Sequence, residues 1–378
     1  MTTFGLLSTY PPTRCGLATF TDALASAVPG DGDPDSRVVR VDDLVPTGPA
    51  TVGRRTRVVG DLRPGSVDSR VATARSLDAC DVVIVQHEYG IYGGPDGDEI
   101  LDVLARIAAP CVVVFHTVRE APTAHQRWLL ERIAGLASAV VVMTRAGADL
   151  LGRRYAVDMS KVRVIPHGVT PWTSLVAPMP AARPTVLTWG LIGPGKGIEW
   201  GIRALADRAA PAPRPRYVVA GQTHPKVLAE HGEEYRDSLL EIARGLGVEG
   251  DLVLDDRYRD SSQLASLVAG ADVVLLPYDS REQTTSGVLV EAIAAGKPVI
   301  ATRFPHAVEL LSGGAGILVD HENPAQIAAA LTAILGRRDL VAGMRAAGAE
   351  ESHETSWADV GALYRHLGAD LLLRASAA

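Results

Sequence analysis

Cysteine and lysine are scarce in this chain, and both shortages restrict what the protein can be. Its 378 residues contain three widely separated cysteines: Cys15, Cys80 and Cys111. This odd number and wide spacing fit neither a disulfide framework nor a zinc centre, so we expect free thiols in a reducing compartment. Lysine occurs at four positions only: Lys161, Lys196, Lys226 and Lys297. This scarcity is attributed mainly to a bias toward G+C-rich codons, and it still makes each lysine worth examining.

Long hydrophobic runs and a positive net charge are also absent. No stretch of about 18 uncharged apolar residues occurs, so no membrane-spanning helix is predicted. The formal net charge of −7 argues against nucleic acid as the main partner, because phosphate backbones bind basic surfaces. Residues 1–12 lack the basic region and long apolar core of a signal peptide. We expect a cytoplasmic protein, and peripheral membrane contact stays open.

Short apolar runs alternate with longer amphipathic segments along the whole chain. The runs predict strands over 4–7, 37–41, 82–86, 111–115, 140–143, 162–165, 185–189, 216–220, 252–255, 273–276, 299–301 and 316–319. The segments predict helices over 16–28, 96–107, 123–137, 145–155, 198–209, 232–246, 261–269, 286–295, 324–335, 340–350 and 356–375. Such alternation is typical of parallel sheets that are covered by helices on both faces.

The alternation stops over 170–184, where four prolines occur, and this stretch is predicted to be an interdomain linker. The chain therefore predicts two doubly wound α/β domains, over 1–172 and 183–355. A C-terminal helical segment follows over 356–378, and packing back on the first domain is one arrangement open to it. Ligands bind beyond the carboxyl ends of parallel strands, so two such domains facing each other would share a site in the cleft.

The block 281–298 has the pattern expected of a site for a phosphorylated, hydroxyl-rich ligand. It follows a predicted strand and passes from a polar loop through Ser286 and Gly287 into an apolar helix. Free N–H groups at a helix start favour anions, and one acid, Glu291, lies among apolar residues where it needs a partner if buried. A helix-surface glutamate is the alternative.

A glycine-rich loop at 193–197 precedes a predicted helix and contains Lys196. The backbone at Gly193 and Gly195 can approach an oxyanion, and the ammonium adds a point charge. A tight strand–helix turn with a solvated lysine would have the same pattern. Tyr258 is a candidate for packing on a nucleotide base, or simply a surface aromatic residue.

Several motifs together resemble the retaining glycosyltransferases of family 4 (glycosyl transferases group 1). They are Tyr10-Pro11-Pro12, Cys15-Gly16-Leu17-Ala18, His116 after an apolar strand, Ile165-Pro166-His167-Gly168-Val169, Pro194-Gly195-Lys196-Gly197 and the 281–298 block. The resemblance covers almost the whole chain. It implies the GT-B fold, in which two Rossmann-like doubly wound parallel-sheet domains face each other across a cleft.

Two positions depart from the family pattern. The first of two glutamates usual in the 281–298 block falls on Gln283, and Leu191 stands where an arginine is usual. A second cation for a diphosphate would then come from elsewhere, with Arg14, Arg119 and Arg145 as options. The segments 86–94 and 223–225 resemble a narrower subgroup that tolerates such changes.

The resemblance also implies roles for individual residues. Lys196 and His116 would act in catalysis, with Gln283 as a positioning group, and Gly16 would lie against the donor. The alternatives are a structural histidine at 116 and a glycine at 16 that chain geometry requires. The remaining donor contacts would come from Gly193, Gly195, Ser286, Gly287, Glu291 and Tyr258. An acceptor role is assigned to His87, Glu88 and Tyr92, with loop order as the alternative. The loops 43–60 and 89–97 would shape the acceptor site.

The expected activity is transfer of a hexosyl group from a nucleotide diphosphate sugar to an unidentified hydroxyl acceptor, with retention of configuration. GDP-mannose is the first donor candidate, on family frequency. The resemblance implies no metal and no cofactor besides the co-substrate, which agrees with the absence of a cluster of acidic ligands in the sequence. Three interpretations stay open beside this one: a glycoside phosphorylase or a nucleotide-sugar 2-epimerase on the same fold, and a non-catalytic nucleotide-sugar or glycan-binding module.

Overall fold

A computed structural model of the chain describes residues 1–42, 55–170 and 183–377. The described chain divides into two units. The first comprises Met1–Gly168 together with the chain from Glu354 onward, and the second comprises Val169–His353. Most of the predicted linker 170–184 lies outside the described residues. None of the described helices has both the length and the apolar character that a membrane crossing requires.

The first unit is built on a seven-stranded parallel sheet. Its strands are β1 (Phe4–Ser8), β2 (Ser36–Val41), β3 (Thr56–Leu62), β4 (Val82–His87), β5 (Cys111–Phe115), β6 (Ala139–Val142) and β7 (Val162–Val164). They lie in the order β3-β2-β1-β4-β5-β6-β7. The helices that alternate with them are α1 (Gly16–Ala27), α2 (Val67–Asp78), α3 (Ile100–Leu104), α4 (Ala124–Leu136) and α5 (Arg145–Arg154). The strand order reverses between β1 and β4, which defines the topological switch point of this sheet.

The second unit repeats this plan with six parallel strands. They are β8 (Thr185–Trp189), β9 (Arg216–Ala220), β10 (Leu252–Asp255), β11 (Val273–Leu276), β12 (Val299–Thr302) and β13 (Gly316–Val319), in the order β10-β9-β8-β11-β12-β13. The helices are α6 (Ile198–Leu205), α7 (Pro225–His231), α8 (Glu234–Gly245), α9 (Ser261–Ala269), α10 (Gly287–Ala294), α11 (Pro305–Leu311), α12 (Pro324–Gly336) and α13 (Arg338–Glu351). Here the switch point lies between β8 and β11.

Both sheets are buried on both faces, which is why their strands are continuous apolar runs in the sequence. In β4, Val83 and Val85 pack on one face while Val82 and Ile84 pack on the other. The prediction of two doubly wound parallel-sheet domains is confirmed.

Several element predictions were wrong or incomplete. The helix expected over 96–107 is confined to Ile100–Leu104, because Gly93, Gly94 and Gly97 all have positive φ in the loop before it. The helix expected over 232–246 is preceded by a separate helix, α7, and Gly232 with φ +58° lies at the break between them. The loop expected over 43–60 is a strand from Thr56 onward, while 43–54 lie outside the described residues.

The final helix, α14 (Trp357–Ala377), belongs to the first unit and packs against α1. The contact is close because Gly361 has no side chain. A Cβ at this position would lie 2.3 Å from the carbonyl oxygen of Ala27, inside van der Waals contact. Arg365 strengthens the contact by donating to the same carbonyl at 3.0 Å.

We therefore expect Gly361→Ala to destabilise the first unit by about 1–3 kcal/mol, since the helices must move apart to admit the methyl group. Chemical denaturation of the purified variant measures this loss. The matched control is Gly135→Ala in α4, where a Cβ would meet nothing within 4 Å. That control should be neutral or stabilising by up to about 1 kcal/mol, because alanine favours helix over glycine. Equal stability of the two variants would contradict the close packing.

Candidate functional site

Two loops meet at the switch point of the second unit. One follows β8 and contains the glycine-rich segment, and the other follows β11 and leads to α10. The Asp279 N–H donates to the Gly195 carbonyl at 3.0 Å, and the Trp200 indole N–H donates to Asp279 Oδ1 at 2.8 Å. Glycine at position 197 permits the two loops to come this close, since a Cβ there would lie 1.8 Å from the Pro277 carbonyl oxygen. The φ of Gly197 is +62°, which also favours glycine.

Lys196 lies at this junction, with its ammonium on an aromatic face. Its Nζ is 4.4 Å from the ring centroid of Tyr278, which is buried and stacked on Phe304. Within the described ranges, the Lys196 ammonium makes no ion pair with a carboxylate. The ring orients the ammonium but does not neutralise it, so the positive charge remains for an anion.

Glu291 lies in α10, one turn after the helix start and next to the end of β8. Burial raises the pKa of its carboxyl from 4.5 to about 7, and a hydrogen bond from the Trp189 side chain offsets only part of this rise. Part of the residue surface stays accessible. The carboxyl is therefore a half-buried hydrogen-bonding group whose charge is costly in the unliganded protein.

The start of α10 is fixed by a histidine that sequence reasoning did not identify. The Ser286 N–H donates to Nδ1 of the buried His306 at 2.8 Å, and Ser286 Oγ accepts from the Leu289 N–H at 3.3 Å. Ser286 therefore caps the helix, and its N–H is not available to a phosphate. No sequence pattern signals this role of His306, because the contact depends on how α11 packs.

The residues on either side of Ser286 have different environments. The Gln283 amide folds over the turn and donates to the Thr285 carbonyl at 3.0 Å. Gly287 follows the cap as the first helical residue. The amide of Gln283 is thus held at the start of α10, where it can serve as a positioning group.

The other predicted donor residues of the second unit lie at the same edge of the sheet. Gly195 has φ +86°, so the backbone conformation alone explains why this position is a glycine. Gly193 is buried, and a Cβ there would approach Val227 Cγ2 at 3.2 Å. Tyr258 is 48% exposed and follows the edge strand β10, beside the ion pairs that Asp255 makes with two arginines. The structure thus brings the glycine-rich loop together with the start of α10, and places Tyr258 farther along the edge.

In the first unit, Gly16 is the first residue of α1, after β1. It is exposed, its φ is not positive, and a Cβ would meet nothing within 4 Å. Cys15 caps the helix, since its Sγ accepts from the Ala18 N–H at 3.4 Å. Neither conformation nor packing within the described protein requires glycine here, so a purely structural explanation of Gly16 has no support.

His116 follows β5 and is held by a buried glutamine. Its Nε2 lies 2.7 Å from Gln86 Oε1, and its ring meets Phe20 edge-on at 4.8 Å between centroids. Burial lowers the pKa of His116 to about 3, and the nearby His167 and His87 contribute. The imidazole is therefore neutral at physiological pH and can serve as a hydrogen-bonding group, not as a cation.

The predicted acceptor residues fall in different environments. Tyr92 is 1% exposed, and its hydroxyl lies 3.1 Å from the Leu7 carbonyl and 2.5 Å from the Gln86 carbonyl, bridging β1 and β4. An acceptor contact does not fit this placement, so Tyr92 is better described as structural. Glu88 accepts from Thr117 Oγ1 at 2.6 Å and from the Tyr89 N–H at 2.9 Å, which orders the loop 89–97.

His87 is 1% exposed, between the rings of Tyr89 and Phe115. Burial lowers the pKa of its imidazole to about 4. Neither ring nitrogen has a hydrogen-bond partner in the part of the chain that the structure describes. An acceptor contact does not fit this neutral, enclosed ring. Over the same residues, no group of three or more histidine, cysteine, aspartate or glutamate side chains could hold a metal ion.

Comparison with known proteins gives a consistent result for both units. The family model described as Glycosyltransferase Family 4 matches residues 26–172, and that of Glycosyl transferases group 1 matches residues 183–337. The chain is 26% identical over 273 residues to a D-inositol 3-phosphate glycosyltransferase of Segniliparus rotundus, covering 67% of this chain and 59% of that protein. The corresponding protein of Actinosynnema mirum is 31% identical over 230 residues, covering 56% and 53%. The chain thus spans little more than half the length of the curated relatives it matches.

Solved structures resemble the chain over nearly its full length. A glycosyltransferase from Rickettsia africae ESF-5 aligns with a TM-score of 0.74 and 16% identity, covering 98% of this chain and 99% of that one. Anabaena Alr3699/HepE in complex with UDP and glucose aligns with a TM-score of 0.74 and 17% identity, covering 98% and 100%. At such low identity, the likeness concerns the fold alone.

The raised pKa of Glu291 implies that the free energy of unfolding depends on pH. Between pH 4.5 and 7 the native carboxyl holds a proton that the unfolded carboxyl has released, so the free energy of unfolding should fall as pH rises through this window. The loss should be about 1–3 kcal/mol, the upper value being reduced by the accessible part of the residue. Glu291→Gln keeps the shape without the ionisation, so its unfolding free energy should vary less over the same window.

Urea denaturation of both proteins across this range measures the difference. Glu350→Gln, on the exposed surface of α13, is the matched control and should behave as the unsubstituted protein does. If the two pH profiles of unsubstituted protein and Glu291→Gln coincide, the carboxyl is not desolvated as described.

Proposed function

The chain belongs to the glycosyl transferases group 1 of glycosyltransferase family 4, and on this premise we propose that it is an enzyme transferring a hexosyl group from a nucleotide diphosphate sugar to a hydroxyl acceptor. The observation that carries the proposal is the switch point of the second unit. There an ammonium without a carboxylate partner in the described residues, Lys196, shares one sheet edge with a desolvated carboxyl, Glu291. A diphosphate linked to a ribose has the complementary groups.

The proposed chemistry is stabilisation of the leaving group. As the bond between the sugar and the diphosphate breaks, negative charge grows on the diphosphate, and the Lys196 ammonium on Tyr278 is already oriented to receive it. The Glu291 carboxyl would accept hydrogen bonds from ribose hydroxyls, which favour its ionised form and so lower its pKa on binding. Gln283 would position the sugar through its amide.

We propose that the sugar keeps its anomeric configuration. The departing phosphate would take the proton of the acceptor hydroxyl on the same face, so no protein base is needed. His116, neutral because burial lowers its pKa to about 3, would hydrogen-bond a sugar hydroxyl without bringing charge to the site. No metal ion and no further cofactor enter this scheme.

GDP-mannose is the first donor to test, on the family resemblance. UDP-glucose is the second, because the Anabaena structure that resembles this chain is described as a complex with UDP and glucose. Polyol acceptors come first among hydroxyl compounds, since the curated relatives are named D-inositol 3-phosphate glycosyltransferases. The protein is proposed to act in the cytoplasm.

The test is incubation of the protein with each donor and a panel of polyol and sugar acceptors. We expect release of GDP or UDP that depends on the acceptor, and a product with the donor's anomeric configuration by NMR. Lys196→Ala should lower kcat by about 10²–10³-fold, as expected for loss of a group that stabilises the leaving charge. Lys161→Ala removes the same charge from a lysine that only caps backbone carbonyls and should leave kcat unchanged.

Other outcomes would replace the proposal. Sugar 1-phosphate formed from inorganic phosphate would indicate a phosphorylase. Donor binding without turnover across the panel would indicate a binding module. An inverted product would overturn retention while leaving transfer in place.

Gly16 gives a separate prediction for the first unit. Because a methyl group at this position meets no protein atom, Gly16→Ala should fold with an unchanged melting temperature. If the backbone of Gly16 lies against the donor, the methyl group should raise KM for the donor by about 10-fold or more, since a close backbone approach would be blocked. Gly135→Ala is the control. An unchanged KM would show that the space above Gly16 is not used by the donor.

A further inference from the structure

The four lysines of the chain fall into two pairs with different environments. Lys161 Nζ donates to the Gly135 and Ala137 carbonyls at 3.3 and 2.9 Å, at the end of α4. Lys297 Nζ donates to two carbonyls at the end of α9, at 2.7 and 2.8 Å. Both therefore satisfy the last carbonyls of a helix. The other two, Lys196 and Lys226, belong to a loop and a helix start at the carboxyl edge of the second sheet.

The loops that carry these two lysines are joined beyond the end of the sheet. Ile192 and Thr223 form a parallel bridge: the Ile192 N–H donates to the Gln222 carbonyl at 2.8 Å, and the His224 N–H donates to the Ile192 carbonyl at 2.8 Å. A Cβ added to Gly193 would lie 3.9 Å from the Cβ of His224. The β9–α7 loop is thus fixed directly beside the loop of Lys196.

The β9–α7 loop is held in place by hydrogen bonds from α8. The guanidinium of Arg236, which is 8% exposed, donates to Thr223 Oγ1 at 3.0 Å and to the Gly221 carbonyl. Thr223 in turn donates to Glu233. The Glu233 carboxylate is therefore committed to Thr223 and Arg236, and it does not pair with either lysine.

The loop presents a histidine ring beside a lysine. The His224 Nδ1 accepts from the Lys226 N–H at 3.2 Å, which places the ring and the lysine on one turn. Burial lowers the pKa of His224, and the charges of Lys226 and Lys196 lower it further, so both ammonium groups act on the same ring. In the described residues 183–353, neither lysine is paired with a carboxylate. A bound anion would interact favourably with both ammonium groups and with the ring N–H of His224.

We propose that Lys226 and His224 complete the site for the donor's diphosphate, adding a second cation and a hydrogen-bond donor to Lys196. The inference rests on the proposed function for the identity of the anion. It assigns the second cation to the β9–α7 loop, next to the position of Leu191, which cannot supply one. Lys226 and His224 would act as binding residues that contact phosphate oxygens.

The test is isothermal titration calorimetry with GDP, UDP, inorganic pyrophosphate and the nucleosides guanosine and uridine. Lys226→Ala should weaken binding of the nucleoside diphosphate and of pyrophosphate about 10-fold, as is usual for loss of one charged contact, and should leave nucleoside binding unchanged. The dependence of log Kd on log salt concentration should become shallower, because one fewer charge is involved.

Two further variants serve as a second test and a control. His224→Asn keeps an acceptor for the Lys226 N–H, since asparagine is a good helix cap, and should weaken diphosphate binding about 3–10-fold. Lys161→Ala removes one positive charge from the first unit and should change none of these affinities. Melting temperatures of all variants confirm that each is folded.

The outcomes separate this inference from the proposed function. If GDP or UDP binds with the same affinity to unsubstituted protein, Lys226→Ala and His224→Asn, the inference is overturned and the proposed function stands. If pyrophosphate binds in a Lys226-dependent way but no nucleoside diphosphate or nucleotide sugar binds, the anion site stands and the donor assignment fails. If neither pyrophosphate nor any nucleotide binds, both fail.

Discussion

The site in the second unit depends on how closely the backbone after β8 approaches the backbone after β11. Gly197 lies so near the Pro277 carbonyl that any side chain would overlap it, and its positive φ turns the chain into α6. This contact, with the hydrogen bond from Asp279 to Gly195, fixes Lys196 over Tyr278. Without it, the ammonium would be an ordinary solvated surface charge. The position of the proposed leaving-group contact is therefore set by backbone packing and not by the lysine itself.

Glu291 illustrates the opposite kind of constraint, an unfavourable group that the fold tolerates. A carboxyl with a pKa near 7 destabilises the native state wherever it is ionised. A single hydrogen bond from Trp189 does not offset this, whereas a ligand that donates hydroxyl groups would. In the first unit, burial likewise keeps the rings of His87 and His116 uncharged. Polar groups held in unfavourable states at strand ends are the sort of feature that marks a binding site.

The parallel strands could be predicted from the sequence because a strand covered on both faces must be apolar along its whole length. The prediction failed for β3, an edge strand in which Arg57, Val59 and Asp61 are exposed, so that no apolar run exists to detect. Lys196 and Glu291 were predicted because charged residues stand out in apolar or glycine-rich surroundings.

The missed roles all depend on which distant backbone group or side chain comes within reach. His306 and the bridging hydroxyl of Tyr92 contact partners that only the packed fold brings to them. The position of His224 beside the loop of Lys196 could not be predicted for the same reason, because the two residues lie in different loops of the sequence. Charge and burial can be anticipated from local sequence, whereas such long-range contacts cannot.

The four lysines of the chain differ in whether backbone carbonyls already satisfy their ammonium groups. The compact ammonium groups of Lys161 and Lys297 each donate to two carbonyl oxygens at a helix end, and the guanidinium of Arg365 does the same at the end of α1. The same compactness lets Lys196 rest on a ring while keeping its charge beside the glycine-rich loop. Arg236, in contrast, spans two acceptors, Thr223 and Gly221, with its extended fork. In this loop the two residue types have different contacts: Arg236 holds the backbone, whereas no carboxylate in the described residues pairs with Lys226.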